Sequence, residues 1–368
     1  MKIIQRYYLK EFLRLYVIIT LGLSLTFTLM ELMNRINDFI PQKPSIAELF
    51  QYAGLNLPQY VLYLMPMAAL ISGLFVFSQA ERRKETTAIK ASGGSMKALL
   101  MPFVFSGLLL SIAGFLISEF VVPDFSRKAH LLRDSLSKTE NILAVKGGTL
   151  WLRARDAIVK VDLFLPDTGI MKGVSIMKIG DSLLTERIEA ESAEWRPVWS
   201  QQSEPGGDTA KGGVWYLKEV TLYDITKGTM AYVREMQTES IDPPETFKRG
   251  MQKPEEMNVV ELLSYTKRLK SAGFRNTKLI VDIYAKISYP LINLIMLVLG
   301  AALATQGAMG GGLITAAIGI FISLLYWVGY TAFLSMGYAG ILQPLFAAWC
   351  MPVAFGGIAW YLFRKIPE

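Results

Sequence analysis

Six stretches of this chain are apolar almost without interruption, at about residues 15–36, 57–78, 98–120, 279–303, 313–334 and 342–363. Each is close to the ~20 residues that cross a bilayer core as a helix. Between the third and the fourth the pattern changes to short alternating runs at 149–153, 157–165, 173–179, 185–195, 214–225 and 229–239, the period of half-buried strands. Turn-formers such as Pro166-Asp167-Thr168-Gly169, Gly180-Asp181 and Pro205-Gly206-Gly207-Asp208 separate them. The pattern predicts an α-helical polytopic membrane protein with six transmembrane helices in a 3+3 arrangement and an inserted antiparallel β-domain, a sandwich or jelly roll. The predicted domains are 1–121 with the first three spans, 122–277 with the β-domain and a linking helix, and 278–368 with the last three spans.

Local signals refine this outline. Lys2, Arg6, Lys10 and Arg14 recur every four residues, a basic stripe on a helix. With Ile3, Ile4, Tyr7, Tyr8 and Leu9 beside it, the stripe predicts an interfacial helix on an anionic leaflet. No small-x-small cleavage site follows the first apolar run, so that span is expected to be retained. Pro58 and Pro66 can kink the second span, and Pro123 is expected to end the third. Asn258 with Glu261 makes a capping-box start for a linking helix that Gly273 closes. A turn at 307–312 joins the fourth and fifth spans.

Between the second and third spans lies a charged segment, about residues 80–97. It opens on Glu81, Arg82, Arg83, Lys84 and Glu85, continues through Ala88, Ile89 and Ala91, and stops at Gly93-Gly94, where a helix would be capped. A short helix pinned between two spans cannot move without tilting both. It reads as a handle by which a cytosolic partner moves the membrane part.

The composition agrees with the outline. Of 368 residues, 52% are hydrophobic, with a mean hydropathy of +0.34, too apolar for a soluble chain of this length. The net charge is +7. The segments assigned to the cytosol (the N-terminus, the handle and the C-terminus) hold eleven basic and four acidic residues, an excess equal to that whole net charge. This is a positive-inside bias, placing both termini in the cytosol and the β-domain outside, and it argues against nucleic acid as a partner.

No nucleotide-binding G-x-x-x-x-G-K-[ST] occurs, so the chain is not expected to hydrolyse ATP. With one histidine, His130, and one cysteine, Cys350, neither a catalytic group nor a metal site is predicted. Gly311, Thr315, Gly319 and Ser323 form a small-residue ridge on the fifth span, and Ala69 and Gly73 do so on the second. Such a ridge serves either packing within the chain or a seam with a second subunit or gate helix. Charges near membrane depth occur as Glu31/Arg35 and Asp282/Lys286. They either neutralise one another or, as Arg35, Lys278 and Lys286, meet the phosphates of an anionic lipid.

Pro66-Met-Ala-Ala-Leu, then Glu85-x-x-Ala-Ile-Lys-Ala-Ser-Gly93, and Leu345-Phe-Ala-Ala-Trp-Cys-Met-Pro352 resemble the LptF/LptG permeases of lipopolysaccharide export, with a leaning to LptG. The resemblance covers the whole chain. It implies a Gram-negative inner-membrane subunit without a cofactor of its own, paired with a paralogous LptF/LptG subunit and with an LptB-type ATPase dimer that binds ATP and Mg. It further implies that the handle docks on the ATPase through Glu81, Arg83, Glu85, Ala88, Ile89, Ala91 and Gly93. The β-domain would pass lipopolysaccharide to LptC and LptA. Glu31, with Arg35 a turn later, stands near where some relatives carry a lysine for the lipid, a departure from their pattern. A rival reading is a mechanical exporter of the MacB or lipoprotein-release type, which has four spans with the outer domain after the first. Another is a membrane scaffold that does not transport.

Overall fold

The computed structural model describes residues 3–39, 44–136, 142–146, 149–153, 157–165, 169–180, 183–197, 213–225, 228–238, 241, 256–271, 276–306 and 312–366. Lys2, the turn at 205–208, Gly273 and the 307–311 segment with Gly311 lie outside these residues. The chain divides into two compact units, Met1–Ala129 with Pro254–Glu368, and His130–Lys253. The linking helix therefore belongs to the helical unit.

In the helical unit α1 spans Ile3–Phe39, α2 Ile46–Arg82, α3 Glu85–Ala91 and α4 Met96–Leu116, and a π-turn at Ile117–Val121 leads into α5, Val122–Leu136, which passes into the other unit at His130. After the β unit come α6 (Val259–Ser271), α7 (Thr277–Ala304), α8 (Gly312–Tyr338) and α9 (Pro344–Arg364). Six of these segments are long and apolar enough to cross a membrane. They stand as three, then the strands, then three, unlike the four-span arrangement of the mechanical exporters.

Two expectations for the spans need correction. The basic stripe does not form a separate interfacial helix: α1 is one rod of 37 residues, about 55 Å at ~1.5 Å per residue. No proline occurs before Pro41 and no glycine before Gly22, so nothing breaks the helix where the sequence turns apolar. Pro123 does not end the third span either. The π-turn just before it loosens the backbone ladder, so the missing N–H and the ring are accommodated and the helix runs on to Leu136.

Helices α2 and α7 form the buried centre, and α1, α4, α8 and α9 each bury one face against them. The outward faces carry Val17, Ile18, Leu21 and Leu25 on α1 and Phe321, Leu324, Leu325 and Val328 on α8, apolar surface that only lipid or another apolar partner would cover. Small residues set the central crossing. A Cβ on Gly300 of α7 would lie 2.6 Å from the Leu70 carbonyl oxygen and 3.2 Å from the Leu74 nitrogen, both backbone atoms of α2. A Cβ on Gly73 would lie 3.1 Å from Leu297 Cδ1. The ridge of Ala69 and Gly73 is thus filled by α7 of the same chain. Backbone cannot step aside, so Gly300→Ala should separate the two helices and cost about 1–3 kcal/mol. Thermal unfolding of the purified protein would read this as a lowered midpoint; an unchanged midpoint would sink the packing argument.

The β unit is a seven-stranded antiparallel sheet in chain order: β1 Ile142–Lys146, β2 Thr149–Arg153, β3 Ala157–Leu165, β4 Ile170–Gly180, β5 Leu183–Pro197, β6 Gly213–Asp224 and β7 Thr229–Thr238. The described strands make a meander, without the crossovers of a two-Greek-key jelly roll. A second layer arises because the sheet turns a corner. From β3 to β7 the pairing skips one row, Asp162, Gly173, Glu191, Glu219 and Arg234, and keeps its register across it. Gly173 (φ 62) and Glu219 (φ 55) are left-handed there. Across this row the buried positions change parity in β4, β5 and β6: Ile176 and Val174 give way to Met171, Ile188 and Ala190 to Ala193, and Val220 to Leu217 and Trp215, whereas in β3 Leu163, Phe164 and Leu165 are all buried. In β4, β5 and β6 a single residue swaps the faces, so both halves contribute to one core cluster.

Candidate functional site

The handle exists as a distinct helix. α2 ends at Arg82, and Lys84 turns the chain in the left-handed region (φ 60), so α3 starts as a new helix. Its end satisfies the last carbonyls in the manner of a Schellman cap: Gly93 N–H donates to Lys90 O (3.0 Å) and Gly94 N–H to Ile89 O (2.9 Å). Gly93 takes φ 78, and a Cβ on Gly94 would lie 2.9 Å from the Ile89 carbonyl oxygen. The glycine pair is therefore required by the turn. Ser95 then caps α4 by accepting from Ala98 N–H.

The predicted handle residues divide into two sets. Arg83, Ala88, Ala91 and Gly93 are exposed, and with Thr87 the last three make a small-residue surface that another protein can approach closely. Glu81, Glu85 and Ile89 are half-buried and hold the helix in place. The Thr86 hydroxyl, itself buried, donates to Glu81, and Ile89 packs on the helical core. Glu85 accepts from the Tyr8 hydroxyl (2.5 Å) through Oε2, while Oε1 faces Arg83 Nη1 at 3.8 Å. Tyr8 is 4% exposed and stacks on Phe77 of α2 at 6.1 Å. Phe77 meets Phe103 of α4 edge-on at 4.7 Å, and Phe103 meets Phe12 of α1 at 5.6 Å. Gln5 Nε2 also donates to Ala98 O at the head of α4 (2.9 Å). The handle thus sits on an aromatic keystone shared by three spans. The sequence pattern puts Tyr8 in an aromatic flank, and nothing in that pattern connects it to Glu85.

The other predicted residues are placed as follows. Glu31 and Arg35 form an ion pair one turn apart on α1. Lys278 is exposed at the start of α7, whereas Lys286 is half-buried and donates to the carbonyl of Met257. Asp282 accepts from the Tyr338 hydroxyl (2.7 Å). Around Met257 the start of α6 is closely held. Asn258 and Glu261 form the reciprocal capping box, the Glu119 carboxylate accepts from Val259 N–H (2.9 and 3.0 Å), and Arg127 pairs with Glu261. On α8, Thr315, Gly319 and Ser323 face inward. The Thr315 hydroxyl lies 3.3 Å from that of Ser78, and a Cβ on Gly319 would lie 2.9 Å from Ile71 Cγ1, so α2 of the same chain occupies this ridge.

The profile of the lipopolysaccharide export system permease LptF/LptG matches residues 6–365. The chain belongs to this family. It is similar to the lipopolysaccharide export system permease protein LptG of Escherichia coli (strain K12), 22% identical over 325 residues that cover 85% of each chain. It also resembles the protein of that name from Haemophilus influenzae, 21% identical over 283 residues, 75% of this chain and 74% of the relative. A multi-pass inner-membrane permease of this family accounts for the six apolar helices and the inserted β unit alike.

Proposed function

We propose that this chain is a transmembrane subunit of an ATP-driven exporter that draws lipopolysaccharide from the outer leaflet of the inner membrane and passes it to a periplasmic β-bridge. In this reading the termini and α3 face the cytosol and the β unit the periplasm. An LptB-type ATPase dimer binds ATP and Mg and docks on α3, and a paralogous LptF/LptG subunit completes the membrane part. Arg35, Lys278 and Lys286 are the candidate contacts for lipid phosphates. Strand β7, an edge of the described sheet with Met230 and Tyr232 exposed, offers its free side to strand addition by the LptC–LptA bridge.

One observation carries the reading. A seven-residue helix with a small, exposed outer surface is fixed between two spans and seated on a core shared by three. In this reading it receives the push of the ATPase.

The test uses a Cys350→Ser background, since Cys350 is the single cysteine and is exposed on α9. A cysteine at Ala88 should crosslink to a co-purifying ATPase. The same complex in proteoliposomes should deliver lipopolysaccharide to a β-bridge acceptor only with ATP. If no ATPase accompanies the chain, or position 88 reacts only from the periplasmic side, the reading is lost.

A further inference from the structure

The chain joins α3 to α2 through Arg83–Lys84 and to α4 through Ser92–Ser95, yet α1 is not its neighbour in sequence. The bond between the Tyr8 hydroxyl and the Glu85 carboxylate spans 77 positions and joins the handle to the first span. We propose that Tyr8 is a positioning residue for coupling, making α1 move with the handle and fixing the Glu85 carboxylate. This rests on the reading of α3 as the ATPase-coupled element.

The geometry carries the proposal in three steps. First, the Tyr8 ring is held: it is 4% exposed, stacked on Phe77 and edge-on to Tyr7 at 5.4 Å. A hydroxyl on a fixed ring is a rigid donor. Second, this donor uses Oε2 of Glu85, while Oε1 pairs with Arg83 Nη1 at 3.8 Å on a side chain that is 35% exposed. One oxygen is tied to α1, and the other is held by an exposed guanidinium that a partner can approach. A hydrogen bond to a charged acceptor is among the stronger ones a protein makes. Third, α1 is a continuous helix from Ile3 to Phe39 without proline, so a displacement at Tyr8 is carried along the whole span. A handle tied only to α2 and α4 would reach α1 through packing alone. Tied to Tyr8, it also holds the first span by a directional bond.

The experiment uses the full complex with its ATPase in nanodiscs containing lipopolysaccharide. Spin labels at Arg6 and Thr87, both exposed, report whether α1 and α3 move together, and labels at Thr87 and Leu313 report whether the handle moves against α8. In the wild-type chain the second distance should change between the nucleotide-free and ATP-trapped states while the first stays constant. Tyr8→Phe keeps the ring and its stacking but loses the hydroxyl. It should still assemble with the ATPase, yet the Arg6–Thr87 distance should become nucleotide-dependent and the lipopolysaccharide moved per ATP should fall about tenfold. Glu85→Gln retains an acceptor oxygen and should keep the Arg6–Thr87 distance constant even where it weakens docking. A role in stability alone would lower the unfolding midpoint of Tyr8→Phe and leave both distances and the yield per ATP as they were, which overturns the proposal. A wild-type complex in which neither distance responds to nucleotide overturns the coupling reading and this inference with it. A normal Thr87–Leu313 change with unaltered behaviour of Tyr8→Phe removes this inference alone.

Discussion

In the Glu85→Arg variant, ATP-driven release of lipopolysaccharide is expected to fall to the level seen without ATP, while the chain still folds and inserts. The fold survives because the carboxylate is only half-buried. Its side chain is 35% exposed, and the keystone beneath it is made of the rings of Tyr8, Phe12, Phe77 and Phe103. What the variant removes is electrostatic. The Tyr8 hydroxyl loses its acceptor, a second guanidinium stands beside Arg83, and a cation enters the first turn of α3, where the helix dipole disfavours it by about 0.3–1 kcal/mol. The greater loss falls at the docking surface. Removing one member of an interfacial charge pair costs about 2–5 kcal/mol, and reversing it adds repulsion. That corresponds to a loss of about thirtyfold to several thousandfold in the productively docked state. Two measurements on one preparation decide the matter: transfer of lipopolysaccharide per ATP in proteoliposomes, and the thermal unfolding midpoint. Wild-type transfer would show that Glu85 has no part in coupling, and a collapsed midpoint would show that it is structural.

The parts of this structure that are legible in the sequence are those that depend on local pattern. Twenty apolar residues in a row make a span whatever surrounds them, and the Asn258/Glu261 and Gly93-Gly94 signals are capping chemistry confined to a few residues. The ends of the spans are less legible. The polar start of α1 stays helical because nothing interrupts it, and Pro123 is tolerated because a π-turn precedes it. Long-range pairings leave no local trace. Tyr8 reads as one more interfacial aromatic. Lys286 reads as the partner of Asp282 or of a lipid phosphate, and it bonds to the carbonyl of Met257, 29 positions away. The corner of the sheet is the clearest case. Asp162, Glu191, Glu219 and Arg234 look like ordinary solvent-facing strand residues, and only Gly173 suggests a break. Their common role appears when five strands are aligned side by side.

That corner also decides where the β unit is most sensitive. Trp215 is fully buried, pairs across β5 and β6 with Trp195, and meets that ring edge-on at 5.4 Å. It lies on the side of the corner opposite Ile188, Ala190 and Val220 but in the same core cluster. As the largest fully buried side chain, it supplies the greatest single volume to the core that the two halves share. Trp215→Ala leaves a cavity the size of an indole, and the meander cannot close on it without unbending the row through Gly173 and Glu219. The expected cost is about 3–5 kcal/mol, a large share of the ~5–15 kcal/mol that holds a typical domain together. Amide hydrogen exchange on the full chain should show protection lost throughout β3–β6, on both sides of the corner. Protection in α2 and α7 should be retained, because the helical unit has a core of its own. Loss confined to β5 and β6 would mean that the two halves are stabilised separately, and the corner would then be a feature of shape without the cooperative role assigned to it.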